Sequence, residues 1–312
     1  MNLNKGRDVK MKVMNQDVNR EYSLYHGDNV EVIKGIPDNS IHYSIFSPPF
    51  ASLYTYSNSD RDMGNCKTDE EFEKHFRYLI KELYRVIMPG RLVSFHCMNL
   101  PTSKQNDGFI GIKDFRGILI KMFQEEGFIY HSEVCIWKNP VVAMQRTKAL
   151  GLLWKQIKKD SSMSRQGIPD YVVTMRKPGE NPERISHTAE QFPCDTWQNY
   201  ASPVWMDINP SDTLQKKSAR EAEDERHICP LQLSVIERCI DLWTNPNDIV
   251  FDPFGGIGST PYVALRKKRR SIAIELKESY YKQMVLNCKN ALVESVDYDH
   301  NDQIIGQTSL FD

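Results

Sequence analysis

Asp-Pro-Phe-Gly-Gly-Ile-Gly-Ser-Thr, at residues 252–260, is the most informative segment of this sequence for the fold. It follows a short apolar run at residues 249–251, which predicts a buried strand, and it precedes a helical pattern at residues 262–266. Glycines allow a tight turn and let a ligand approach bare backbone closely. Ser259 is expected to cap the helix, and Pro261 suits its first turn. The stretch therefore predicts a strand, a ligand-binding turn and a helix in succession.

The next predicted strand, residues 271–276, carries an acid near its end, Glu275. In nucleotide-binding folds an acid at this place accepts hydrogen bonds from ribose hydroxyls. The glycine turn lacks the Lys-Ser/Thr pair of a phosphate-binding loop, which argues against a nucleoside triphosphatase. Turn, helix, strand and acid together favour an adenosine-containing ligand.

Strand and helix patterns alternate through most of the chain, which predicts an α/β fold with a mostly parallel sheet. Further strands are predicted at residues 22–26, 41–46, 92–96 and 129–137, and further helices at residues 68–87, 115–126, 231–242 and 278–292. Between residues 138 and 226 no period is evident, which indicates an insert. The predicted organisation is a lead-in at 1–21, two halves of one domain at 22–137 and 227–294, the insert at 138–226 and a tail at 295–312.

Two short motifs resemble those of DNA amino-methyltransferases. The glycine turn at residues 252–260 resembles the S-adenosylmethionine loop of that family, Asp-Pro-Phe-x-Gly-Ser-Gly-Thr-Thr, with Ile257 in place of a small polar residue. Ser47-Pro48-Pro49-Phe50 resembles the family's Asp/Asn/Ser-Pro-Pro-Tyr/Phe turn. Because this turn precedes the glycine loop in the chain, the order resembles the circularly permuted β group. The resemblance covers residues 22–137 and 224–292 and implies a doubly wound, Rossmann-like methyltransferase fold with an inserted target-recognition region.

The Ser-Pro-Pro-Phe turn has a direct chemical interpretation. An exocyclic amine of cytosine or adenine is a poor nucleophile, because its lone pair is delocalised into the ring. Two acceptors that bind the amine protons pull the nitrogen towards tetrahedral geometry. The candidate acceptors are Ser47 Oγ and the Pro48 carbonyl, held by a turn that Pro48 and Pro49 stiffen. Phe50 is the candidate to stack on a base flipped out of the duplex.

The resemblance also implies which residues hold the cofactor, S-adenosylmethionine. The backbone from Phe254 to Gly258 would hold its methionine part, Glu275 its ribose, and Asp28 would lie near its adenine. Residues 227–231, which include Pro230, resemble the segment that closes the pocket. The full set of expected cofactor-binding residues is Asp28, Pro230, Asp252, Phe254, Gly255, Gly256, Gly258, Ser259 and Glu275.

The resemblance limits the number of possible target bases and substrates. Serine rather than aspartate at position 47 favours cytosine N4 by the tendency of the family, and adenine N6 stays open as the alternative. An RNA or small-molecule methyltransferase and an inactive DNA-binding protein are the remaining hypotheses. The recognition sequence, the choice between monomer and homodimer, and the existence of a restriction partner do not follow from the sequence.

The insert is the predicted DNA-binding region. Residues 138–177 contain nine lysines and arginines against two aspartates, although the whole chain has a net charge of −1. Phosphate binding depends on local charge, so this stretch can bind double-stranded DNA despite the neutral total. The predicted DNA contacts are Arg146, Lys148, Lys155, Lys158, Lys159 and Arg165.

Composition excludes several classes. The seven cysteines form no Cys-x-x-Cys pair, so neither a disulfide framework nor a metal site is expected. No apolar stretch is long enough to span a membrane, and the N-terminus lacks the apolar core of a signal peptide, so we expect a cytoplasmic, nucleoid-associated protein of bacterial or phage origin. The tail residues Gln307, Leu310 and Phe311 resemble a sliding-clamp-binding peptide, with folding back onto the protein as the alternative.

Overall fold

The computed structural model describes residues 12–49, 66, 68–147, 149–214 and 231–308, without the side chains of residues 106, 146, 147 and 295–308. Within this part of the chain the strands are β1 Asn15–Val18, β2 Tyr22–His26, β3 Ile41–Phe46, β4 Ile87–Met98, β5 Leu100–Thr102, β6 Gly111–Lys113, β7 Ile129–Ile136, β8 Asp170–Arg176, β9 Val204–Trp205, β10 Ile249–Asp252 and β11 Arg270–Glu275. The helices are α1 Asn29–Val32, α2 Asp69–Val86, α3 Lys104–Asp107, α4 Phe115–Glu125, α5 Pro140–Thr147, α6 Trp154–Lys159, α7 Cys194–Tyr200, α8 Leu233–Trp243, α9 Ser259–Arg266 and α10 Glu278–Thr308.

Nine of these strands form one sheet in the order β1-β2-β11-β10-β3-β4-β8-β7-β9. The central strands β2, β11, β10, β3 and β4 are parallel, whereas β1 pairs antiparallel at one edge and β8 runs antiparallel between β4 and β7. From β10 the chain proceeds to β11 on one side, and from β3 it proceeds to β4 on the other. The strand order therefore reverses between β10 and β3, and open α/β sheets bind their ligands outside the carboxyl ends of strands at such a point.

Helices cover both faces of the sheet, as the doubly wound fold class predicts. One face packs on α1, α2 and α4, and its core includes Phe46 and Phe251. The other face packs on α8 and α9, and its core includes Ile45 and Val250. Neighbouring residues of one strand thus enter opposite cores, because side chains alternate along a strand. Burial on both faces explains why most residues of β3 and β10 are buried, including the polar Ser44 of β3.

Three local details differ from the sequence-based expectation. The predicted insert contains β8, which lies inside the main sheet rather than outside it. The strand β4 begins at Ile87 and passes through Pro89 and Gly90, five residues before the strand predicted at 92–96. The N-cap of α9 is Gly258, not Ser259, and it makes no side-chain capping bond. The capping role of Ser259 was therefore wrong, because Gly258 at φ 91° takes the left-handed position that starts the helix.

The long helix α10 continues to Thr308, so the described part of the predicted tail is helical. In the part of the chain that the structure describes, no helix combines the length and apolar character needed to cross a membrane.

Candidate active site

The two motifs singled out in the sequence meet at the carboxyl ends of neighbouring parallel strands. Phe251 of β10 pairs with Ser44 of β3, so the glycine turn and the Ser-Pro-Pro turn leave the sheet side by side. The rings of Phe46 and Phe254, one from each segment, lie 5.7 Å apart between centroids. Thr260 Oγ1 donates to the Ile45 carbonyl at 3.2 Å. The turn residues and the glycine loop therefore border the same end of the sheet.

The glycine turn is held in a fixed shape by its own hydrogen bonds. Phe254 N donates to Asp252 Oδ1 at 2.8 Å, and Gly255 N donates to the Ile274 carbonyl at 2.8 Å. Gly256 and Gly258 have φ angles of 54° and 91°, in the left-handed region that favours glycine. The backbone of the turn is thus preorganised before any ligand binds.

The two glycines differ in what surrounds them. A Cβ at Gly256 would find one atom within 4 Å, the Phe254 carbonyl oxygen at 3.8 Å. A Cβ at Gly258 would lie 2.9 Å from Met284 Cγ and 3.2 Å from Met284 Cα. Gly256 consequently faces open space where a ligand can approach, whereas Gly258 allows α10 to pack closely on the turn.

Glu275 connects the turn to the neighbouring strand end. Its Oε2 accepts from Gly256 N at 2.8 Å and its Oε1 accepts from Lys277 N at 2.7 Å. Each carboxylate oxygen has a second lone pair, so the group can also accept from ligand hydroxyls. The predicted ribose acceptor therefore also orients the backbone amide of Gly256.

Asp28 lies beside this acid at the end of β2. Gly27 N donates to the Glu275 carbonyl at 2.9 Å, which places Asp28 next to the end of β11. The Asp28 carboxylate caps α1 by accepting from Val30 N at 2.9 Å. Asn29 Nδ2 donates to the Pro253 carbonyl at 3.1 Å. Asp28, Glu275 and the glycine turn are thus brought together, as the sequence predicted.

Asp252 has an unusual protonation equilibrium. The side chain is 5% exposed, and its burial raises the pKa of the carboxyl to about 7, although the Phe254 N–H opposes the shift. A carboxyl in this state carries a proton over much of the range in which an ordinary aspartate is ionised.

The Ser47-Pro48-Pro49 turn has a partner that sequence reasoning missed. Ser47 is half-buried, while Pro48 and Pro49 are buried. Ser47 Oγ lies 3.3 Å from Nδ1 of His96, a residue of β4. The available signal was a histidine inside the mostly apolar strand of residues 92–97, since a buried polar residue in such a strand needs a partner.

The basic insert presents only part of its charge on one surface. Lys155, Lys158 and Lys159 are exposed on α6, and Arg165 is half-buried and donates to the Gln166 carbonyl at 3.1 Å. Lys177, which the sequence count included, is buried and donates to the Ile87 carbonyl at 2.8 Å. The described positive surface of the insert is therefore centred on α6.

Several expected site residues cannot be placed. Phe50, Lys148, Pro230, Leu310 and Phe311 lie outside the described residues. For Arg146 and Gln307 the backbone is helical and the side chains lie outside the description. The roles expected for these seven residues stay predictions.

Fold and site together define an adenosine-cofactor site beside a candidate amine-binding turn. A family model of DNA methylases, N6_N4_Mtase, matches residues 41–286 of this chain. The chain belongs to this family of S-adenosylmethionine-dependent DNA methyltransferases, which confirms the resemblance noted in the sequence. Its place in the circularly permuted group of that family stays a prediction.

Proteins named as methyltransferases align with most of the chain. The Type II methyltransferase M.BglII of Bacillus subtilis is 24% identical over 259 residues, which cover 82% of this chain and 66% of that protein. The Type II methyltransferase M.PvuII of Proteus hauseri is 26% identical over 288 residues, which cover 83% of this chain and 81% of that protein. The DNA adenine methyltransferase YhdJ of Escherichia coli is 25% identical over 270 residues, which cover 85% of this chain and 81% of that protein.

Solved structures share the fold. The Thermus thermophilus protein TTHA0409, in complex with S-adenosyl-L-methionine, has a TM-score of 0.64 at 19% identity, covering 87% of this chain and 96% of its own. The cytosine-N4-specific PvuII DNA methyltransferase has a TM-score of 0.61 at 17% identity, covering 92% of this chain and 97% of its own. These likenesses confirm the α/β fold class.

The residues of this chain fit S-adenosylmethionine. A side chain at Gly256 would occupy the open face of the turn, so the bare backbone there leaves room for a ligand. Glu275 supplies carboxylate acceptors directly beside that turn. The cofactor would accordingly be held by the turn from Phe254 to Gly258, by Glu275 and by the neighbourhood of Asp28.

Proposed function

We propose that this chain transfers a methyl group from S-adenosylmethionine to the exocyclic amine of a base flipped out of double-stranded DNA, with cytosine N4 as the target. The observation that carries the proposal is the pairing of β3 with β10, which brings the Ser47 turn and the glycine turn to one end of the sheet. One turn is suited to an amine and the other to an adenosine cofactor, so both reactants are held at neighbouring strand ends.

The protein's own contribution is to orient and polarise the amine. Ser47 Oγ and the Pro48 carbonyl accept hydrogen bonds from the two N–H groups of the amine, which directs the nitrogen lone pair towards the cofactor. The bound cofactor supplies an electrophilic methyl group on a positively charged sulfur. Pro48 and Pro49 fix the backbone of the turn, so the acceptors need little reorganisation when the amine arrives. Phe50 follows directly in the sequence and stacks on the flipped base.

Cytosine N4 is favoured over adenine N6 by two observations. The turn begins with serine, which by family tendency accompanies N4 methylation. The PvuII enzyme, whose fold this chain shares, is cytosine-N4-specific. Adenine N6 is the second candidate, because the family model spans both chemistries and the adenine methyltransferase YhdJ is nearly as similar as M.PvuII.

The insert supplies the DNA contacts in this proposal. The exposed lysines of α6 share that helix with Trp154, which is 70% exposed. Lysines neutralise phosphates without reading sequence, so they fix the position of the duplex while other groups of the insert read base edges. An exposed tryptophan next to them offers an aromatic face for a base or sugar.

The proposal is tested by identifying the modified nucleoside. The protein is expressed in a host without endogenous DNA methylation, the DNA is digested, and nucleosides are separated by mass; N4-methylcytosine is expected. N6-methyladenine would replace the first target by the second, and unmodified DNA together with methylated RNA would refute the DNA function.

Ser47→Ala tests the turn itself. This variant should bind S-adenosylmethionine normally and lose most turnover, because the amine loses one acceptor. Ser40→Ala is the matched control, since Ser40 stands at the other end of β3 and donates to the Pro37 carbonyl. If Ser47→Ala is as active as Ser40→Ala, the turn does not bind the amine.

The tail is proposed to tether the enzyme to a sliding clamp through Gln307, Leu310 and Phe311. The support is the sequence pattern of residues 307–312. Clamp binding that is unchanged after deletion of these six residues would remove the tether from the proposal.

A further inference from the structure

A line of polar side chains leads from the catalytic turn into the protein. Ser47 Oγ lies 3.3 Å from His96 Nδ1, and His96 Nε2 lies 3.2 Å from Asp170 Oδ2. The other oxygen of Asp170 accepts from Lys138 Nζ. Serine, histidine, aspartate and lysine come from four separate segments: the end of β3, the strand β4, the start of β8 and the residues that follow β7.

The contacts favour one tautomer of His96. An ionised Asp170 can only accept, so we assign the proton to Nε2, which lies 3.2 Å from Asp170 Oδ2 but does not meet the geometry of a hydrogen bond. Nδ1 is then the bare nitrogen, and it accepts from the Ser47 hydroxyl. The hydroxyl keeps its own lone pairs for the amine that approaches from outside.

Because His96 and Asp170 are both buried, the charge of Asp170 acts strongly on the imidazole. His96 is 9% exposed and Asp170 is 5% exposed. Burial alone raises the pKa of the Asp170 carboxyl, but His96 and Lys138 hold that pKa below its ordinary value, so the carboxylate stays charged. A charged group at Nε2 stabilises an imidazolium that forms when Nδ1 takes up a proton.

We infer that His96 is the positioning residue that accepts the proton released through Ser47, with Asp170 holding the imidazole and Lys138 holding Asp170. The inference rests on the proposed function and deepens it. A serine hydroxyl alone is a weak base, whereas a hydroxyl bonded to an oriented imidazole can give up its proton as it receives another.

The proton count balances. Replacing one amine hydrogen by a methyl group releases one proton. The amine N–H bond breaks with its electron pair left on nitrogen, and the proton forms a new O–H bond on Ser47 Oγ. The original Ser47 O–H bond breaks, and its proton forms an N–H bond at His96 Nδ1. His96 later releases this proton to solvent, so serine and histidine return to their starting states.

The same residues connect the insert to the reaction. Lys138 precedes α5 and Asp170 begins β8, so the two ends of the segment between them are joined by their ion pair. The segment carries the exposed lysines of α6. The ion pair that closes this segment of the insert thus also lies against His96.

A competing interpretation is purely structural. Ser47 Oγ also lies 3.5 Å from the His96 carbonyl, so the hydroxyl can donate to backbone instead of to the imidazole. In that case His96 fills space and Ser47 acts alone. The charged groups that the structure records around the imidazole are Asp170 from β8 and, behind it, Lys138.

His96→Asn separates the two interpretations. Asparagine places an oxygen near the position of Nδ1, so it still accepts from Ser47 but takes up no proton. We expect a single-turnover rate about 100-fold below wild type with unchanged S-adenosylmethionine binding.

His42→Asn is the matched control. His42 is also a histidine of the sheet beside a carboxylate, with Nε2 3.2 Å from Glu183 Oε2, but it lies near the opposite end of β3. Its Nδ1 accepts from Ile249 N at 3.1 Å, an interaction that asparagine can keep. This variant should retain the wild-type rate.

Nitrogen NMR of the histidine side chains gives a measurement without turnover. The His96 signal, identified by its loss in His96→Asn, should show a protonated Nε2 and a bare Nδ1, and Ser47→Ala should shift Nδ1. If His96→Asn does not fold, Asp170→Asn replaces it and should also slow turnover. The opposite tautomer, or a His96→Asn variant as active as the wild type, overturns the relay and leaves the methyltransferase function intact. A wild-type protein that methylates no DNA overturns the function and the relay together.

Discussion

Alanine at Gly258 should mainly reduce stability, whereas alanine at Gly256 should mainly reduce cofactor binding. Both glycines have positive φ, 91° and 54°, so an alanine at either position bears the left-handed backbone cost of about 1 kcal/mol. Part of this cost is offset, because alanine also restricts the unfolded chain by roughly 0.5 kcal/mol. The backbone contribution is therefore similar at the two positions and small.

The atoms around each glycine should make the two variants differ in unfolding free energy. At Gly258 the new Cβ would lie 2.9 Å from Met284 Cγ and 3.2 Å from Met284 Cα, and the backbone of α10 cannot move aside cheaply. Overpacking of this kind costs about 1–3 kcal/mol, so together with the net backbone cost Gly258→Ala should lose about 1.5–3.5 kcal/mol of unfolding free energy. Gly256→Ala meets one atom at 3.8 Å and should stay within about 1 kcal/mol of wild type.

Cofactor affinity should depend on Gly256, the glycine whose replacement has little effect on stability. The Cβ of Gly256→Ala projects into the open face of the turn, so this nearly stable variant should lose at least about tenfold in S-adenosylmethionine affinity, or about 1.4 kcal/mol. Urea midpoints and titration calorimetry on both variants measure the two quantities. Equal midpoints for the two variants would refute the role of Met284, and normal cofactor affinity in Gly256→Ala would refute the placement of the cofactor on the turn.

Two further outcomes are expected. The raised pKa of Asp252, about 7, means that the folded state binds this proton more tightly than the unfolded state, so its stabilising contribution is lost as pH rises from about 4 through about 7. Relative to wild type, Asp252→Asn should therefore gain about 3 kcal/mol of unfolding free energy between pH 5 and pH 8, and a constant difference in urea midpoints would show that Asp252 is ionised throughout. Joint replacement of Lys155, Lys158 and Lys159 by alanine should lower the salt dependence of DNA binding by up to about three counterions, measured by anisotropy at several salt concentrations. Replacing Lys81, an exposed lysine of α2, should leave the salt slope unchanged, and an unchanged slope in the triple variant would place the duplex elsewhere.

The parts of the site that the sequence predicted are those specified by local chemistry. Glycines at positive φ and prolines that end a strand act within a few residues, so the turns at 252–260 and 47–50 could be recognised before the fold was known. The acid at Glu275 was found because it follows the turn at a fixed distance along one strand–helix–strand unit.

The insert shows where local patterns mislead. Residues 170–176 were included in an irregular region, yet they form β8, because their partners in β4 and β7 lie far away in the sequence. The charge count along residues 138–177 assigned Lys138 and Lys177 to one basic region. The two residues lie at opposite ends of the strand β8, roughly 20 Å apart. A basic composition predicts a basic surface only when the residues share a side of the fold.

The α/β class and the two turns at residues 252–260 and 47–50 could be predicted from the sequence alone, since backbone preferences and strand–helix periodicity are local properties. The position of His96 and Asp170 behind Ser47 follows from the folded structure, because the order and register of strands are set by burying side chains from distant segments against one another. The antiparallel entry of β8 beside β4 brings Asp170 opposite Met98, two residues from His96, and no spacing along the chain encodes that neighbourhood.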